Sequence, residues 1–107
     1  MSATAFNPVE YLKRYSGASA EAFQALRKAV RTAGPLDAHT CELITLGALV
    51  TSGSEASFKT HARRLLKDGV TLDALRQAVL VTFAASTTFS QVIDGLRWID
   101  HLDGEQR

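Results

Sequence analysis

The 107-residue sequence predicts an all-α fold of about six helices. Only two prolines and few turn dipeptides interrupt the chain. Apolar residues recur at spacings of three and four rather than two. Residues that favour helix starts and helix ends punctuate the chain between these apolar stripes.

The first helix is short and begins near Pro8, with Val9 and Leu12 facing inward. Ser16-Gly17-Ala18-Ser19 breaks it, and Ser19 is the expected N-cap of a second helix from Ala20 to Thr32. Phe23, Leu26 and Val30 give that helix an apolar stripe, and Lys28 and Arg31 lie near its end, where the helix dipole favours cations. Gly34-Pro35 stops it. Asp37 caps a third helix running to about Thr51. A fourth spans roughly Ser54 to Asp68 and ends at Gly69, a residue that tolerates the left-handed conformation of a helix end. Thr71 caps a fifth helix, expected to run to about Ser86. The sixth carries Phe89, Val92, Ile93, Leu96 and Ile99 on one stripe, and Asp103 to Arg107 read as a solvated tail.

At this length about two-thirds of the unfolded surface can be buried, which suits one domain over residues 1–107 with one core. A hydrophobic content of 46% excludes a disordered chain. A net charge of +1 leaves no basic footprint for nucleic acid or an anionic membrane. The first residues show no basic segment followed by an apolar run, so no signal peptide is expected. No apolar run reaches the roughly 18 residues a membrane span needs. A single cysteine, Cys41, excludes an internal disulfide and fits the cytoplasm. Two segments, Leu43 to Val50 and Ala78 to Ala85, are apolar nearly all round. One such helix can be central in a small domain, but two are harder to cover, so a homo-oligomer is expected.

The chemistry-bearing residues concentrate between Cys41 and Lys67. Ser54, Ser57 and His61 stand at spacings of three and four, near one face at the start of the fourth helix. Imidazole is the usual proton carrier near neutral pH. Glu42 opens an otherwise uncharged run, either for dipole reasons or turned inward to orient His61 or share a proton with it. Ser54 follows Gly53 and precedes an acidic residue, which is an N-cap pattern. Ser57, one turn before His61, completes the formula of an activated serine nucleophile, although serines at helix starts are common and usually inert. Lys59, Arg63, Arg64 and Lys67 read as a solvated basic face, from which Arg64 is placed to hold a substrate carboxylate. Cys41 reads as a small buried residue, and His39, Thr40 and His101 form no constellation. No second histidine or cysteine stands at ligand spacing from His61, so no metal or other cofactor is expected.

The spacing from Glu42 through Ser54 and Ser57 to His61 resembles that of the carboxymuconolactone decarboxylase/alkylhydroperoxidase-D-like family. Its peroxidase branch carries Glu…Cys-x-x-Cys-x-x-x-His. The run from Pro35 to Ile44 is similar to the family's entry into this region, and the run from His61 to Thr71 to its exit. The resemblance covers about Phe23 to Trp98. It implies an all-helical fold and assembly into a trimer or hexamer. It also implies a peroxidase or decarboxylase activity in which the Glu and His relay protons.

Both cysteine positions of that pattern hold serine, and a hydroxyl cannot form a disulfide. A thiol peroxidase is therefore not expected. A histidine oriented by a carboxylate still suits the decarboxylase branch, where an enolate-type intermediate must be protonated. Ser86-Thr87-Thr88-Phe89-Ser90 stands where the family usually has a Gly-x-Pro-like element, which argues against transferring the lactone specificity. The expectation is acid–base chemistry by Glu42 and His61 on a small carboxylated molecule. The rivals are a catalytically silent relative that binds a ligand or partner, and a redox protein using Cys41 alone.

Overall fold

Asn7, Asp37 and Thr71 each sit in extended backbone just before a helix, and each side chain accepts an amide N–H of the first turn. A computed structural model describes residues 6–106, and the expectations made for the first five residues and for Arg107 lie outside it. Among the described residues six helices run in order: α1 (Pro8–Lys13), α2 (Gly17–Arg31), α3 (Ala38–Ser52), α4 (Glu55–Lys67), α5 (Leu72–Leu80) and α6 (Phe89–Gln106). The only β pairing among the described residues is an isolated bridge between Phe83 and Thr87. The all-α expectation holds. The chain divides into two compact units, Met1–Leu36 and Asp37–Arg107.

In the first unit, Val9 and Leu12 are half-buried on α1. The cap of α2 is Ser16, not Ser19. Ser16 is extended and its Oγ accepts the Ser19 amide at 3.1 Å, so Ser19 already lies inside the first turn. Ala20 is the only fully buried residue of α2, and its stripe of Phe23, Leu26 and Val30 is exposed.

In the second unit, Leu46 and Val50 of α3 meet Phe58, Ala62 and Leu65 of α4, Leu75 and Val79 of α5, and Val92, Trp98, Ile99 and Leu102 of α6. Phe58 and Trp98 pack at 5.2 Å between ring centroids. A Cβ on Gly95 would fall 2.6 Å from Val50 Cγ2 and 3.1 Å from Val79 Cγ1, so only glycine lets α6 approach α3 and α5 this closely. Gly53 and Gly69, both with positive φ, close α3 and α4. No helix among the described residues is long and apolar enough to cross a membrane.

Two helix ends differ from the sequence expectation. The fifth helix stops at Leu80, six residues early. Thr82 Oγ1 donates to Val79 O at 2.6 Å, and Thr82 O accepts the amides of Ala85, Ser86 and Thr87. These bonds take the chain into a tight loop, in which Ala84 holds φ +67°. Thr88 and Gln91 then form a capping box at the start of α6: each side chain accepts the other's backbone N–H. At the other end, residues 103–106 are helical rather than a loose tail, because Glu105 is anchored to α4. Of the α6 stripe, Val92 and Ile99 are buried and Leu96 is partly so, while Phe89 and Ile93 are exposed.

Candidate functional site

The candidate site lies where the second turn of α3 faces the middle of α4. Glu42 shares its helix face with Leu46 and Val50, at spacings of four, so it points the way the core residues point. Its side chain is only 7% exposed. On α4, Phe58, Ala62 and Leu65 fill the core, and His61 stands at the edge of that face, 17% exposed. His61 Nδ1 lies 2.9 Å from Glu42 Oε2 and 3.1 Å from Oε1. When Glu42 is ionised its oxygens only accept, and Nδ1 is then the nitrogen that carries the proton between them. In the neutral ring, Nε2 is then the lone-pair nitrogen. Nε2 has no hydrogen bond to any other described residue.

Arg64, one turn beyond His61, brings Nη1 to 3.7 Å from Glu42 Oε2. That is an ion pair rather than a hydrogen bond. The three side chains therefore converge: a buried carboxylate, an edge imidazole and a guanidinium that is 45% exposed.

The serines do not join them. Ser54 occupies the N-cap position of α4, but its side chain makes no capping bond. Its hydroxyl pairs instead with Ser52 Oγ at 2.8 Å. Ser57 is exposed and no hydrogen bond links it to His61, so a Ser–His–Glu relay is not formed. Cys41 is half-buried one residue before Glu42. His39 Nε2 stands 3.5 Å from Asp68 Oδ2 at the end of α4. No group of three or more His, Cys, Asp or Glu residues suited to a metal ion occurs among the described residues.

The rest of the basic run is not a simple solvated face. Lys59 Nζ bonds Glu55 at 2.8 Å and His101 Nδ1 at 3.1 Å. Arg63 donates through Nε and Nη2 to both oxygens of Glu105, each at 2.9 Å. The guanidinium holds the Glu105 carboxyl below its ordinary range, and Lys59 does the same to Glu55. This seam was readable in principle: Lys59 and Arg63 are four apart, and so are His101 and Glu105. A cleft of about 210 Å³ lies beside it, lined by Arg63, Leu66, Lys67, Leu102, Glu105 and Gln106.

Residues 17–101 match the model of the carboxymuconolactone decarboxylase family. The chain belongs to this family. Neither the curated proteins nor the solved structures yield a match. Within the family region lie Glu42, His61 and Arg64, together with Ser54 and Ser57 at the two positions that the resemblance pairs with cysteines.

Proposed function

We propose that this carboxymuconolactone decarboxylase family member performs non-redox acid–base chemistry on a small molecule. His61 Nε2 is the proton-transferring atom and Glu42 is its positioning residue. One observation carries the reading: a buried carboxylate meets Nδ1 with both oxygens, while Nε2 makes no hydrogen bond to another described residue. Glu42 fixes the tautomer and the orientation of the ring. In a lyase-type step, a carboxylate departs as carbon dioxide and its bonding electrons stay on the substrate as an enolate. Nε2, which has taken up a proton from solvent, then delivers it to carbon and returns to the neutral ring. Thiol peroxidase chemistry is not part of this reading, because Ser54 and Ser57 provide no sulfur.

The test is turnover of a panel of lactones and β-keto acids by the wild type, His61→Ala and Glu42→Gln. Loss of His61 is expected to lower the rate about 100-fold or more. Equal rates would remove His61 from the mechanism. Ligand binding without turnover by any of the three proteins would favour the silent, ligand-binding relative.

The family match crosses the boundary between the two compact units, which supports treating residues 1–107 as one family domain. Self-assembly into a trimer or hexamer belongs to the same reading. It is supported by the exposed stripe of α2 and by Ile44, Leu80, Val81, Phe83 and Phe89, all exposed in the single chain. Sedimentation as a monomer would rule it out. A cytoplasmic setting rests on the single cysteine.

A further inference from the structure

We propose that Arg64 is the docking point for a carboxylate of the substrate, and that it exchanges Glu42 for that carboxylate on binding. This rests on the acid–base reading of His61 and deepens it by naming the substrate as a monoanion at the docked end.

A guanidinium carries five N–H donors. Arg64 uses none of them in a hydrogen bond within the described chain, and its one polar contact is the 3.7 Å approach to Glu42. The residue before it behaves otherwise: Arg63 spends its fork on Glu105, with two bonds of 2.9 Å. Of two adjacent arginines on α4, one is engaged and the other keeps its fork open beside the imidazole. His61 and Arg64 are one helical turn apart, so their Cβ atoms are about 5–6 Å apart. A small acid seated on Arg64 thus has its neighbouring carbons within reach of Nε2.

Charge narrows the class. Ionised Glu42 and the Arg64 guanidinium form one pair of opposite charges. A monoanion that replaces Glu42 at the guanidinium restores one pairing, whereas a phosphate dianion would bring two charges against Glu42. Leaving Glu42 is easy, since the contact is long and the guanidinium is 45% exposed. Glu42 meanwhile keeps both contacts to His61.

The experiment titrates levulinate, a stable keto-monocarboxylate, into the folded protein. NMR follows the Arg64 side-chain N–H and the His61 ring at fixed ionic strength. Saturable binding is expected in the wild type. Arg64→Gln should weaken it about tenfold or more, and Arg64→Lys should fall between, because the charge remains and the fork is lost. Arg63→Gln should bind as the wild type does, and Glu42→Gln should bind more tightly because the competing anion is gone. Equal affinity in the wild type and Arg64→Gln overturns the proposal. Tighter binding of inorganic phosphate than of levulinate overturns the carboxylate assignment. The two readings fail separately. If His61→Gln keeps turnover while Arg64→Gln loses levulinate, only the acid–base role falls. If His61→Gln loses turnover while Arg64→Gln binds levulinate normally, only the docking role falls.

Discussion

Helix α4 presents two charged seams, and they differ in burial. Toward α3, His61 meets a Glu42 side chain that is 7% exposed. Toward α6, Arg63 meets Glu105 where both side chains are near half exposure. The second seam is ordinary surface pairing: it fastens the last turn of α6 at little desolvation cost and contributes modestly. The first removes a carboxylate from water, and the desolvation cost of such a pair can exceed what the pairing returns. A hydrophobic pair would fill the same space without that penalty. The proposed acid–base role would account for keeping a buried carboxylate beside His61.

Substitutions can break the contrast, and the largest effect is expected on the buried side. Glu42→Ala leaves a cavity and an unpaired Nδ1–H, and should lower unfolding free energy by about 2–3 kcal/mol in urea denaturation. Replacing both partners, Glu42→Leu with His61→Leu, should leave stability unchanged or raise it by about 1 kcal/mol while abolishing turnover. A large loss in that double variant would mean that the pair is structural. On the exposed side, Arg63→Ala should cost less than about 1 kcal/mol, and molar salt should erase most of the difference. The pH response should be smaller still. The Glu105 carboxyl is depressed in the folded state, so its contribution is complete above the ordinary glutamate value of 4.5 and is lost as pH falls through the folded value. Acid titration of Glu105→Gln should therefore show a shallower loss below about pH 4.5 than the wild type.

The sequence made the caps of α3 and α5 and the glycine end of α4 legible, because Asp37, Thr71 and Gly69 act on their own neighbours. It also made Glu42 and His61 legible as a pair, through spacing and resemblance. Local signals misled where two answers coincide. Ser16 and Ser19 are both serines, and only the extended backbone at Ser16 selects it. The end of α5 was hidden because Val81 and Thr82 continue the apolar run, while the stop comes from the Thr82 hydroxyl bonding back to Val79. The last turn of α6 has no apolar stripe, and the contact from Glu105 to Arg63 spans 42 residues. For the same reason the approach of Arg64 to Glu42 depends on how α3 and α4 meet, which helical periodicity along α4 alone does not reveal.

Ala84 has a practical consequence for engineering this protein. Its left-handed backbone costs a residue with a Cβ about 1 kcal/mol, and glycine there relieves the strain at a smaller cost in chain entropy. Ala84→Gly should therefore raise the melting temperature slightly. It offers a thermostabilising handle in the loop between α5 and α6, on neither of the helices that carry Glu42 and His61.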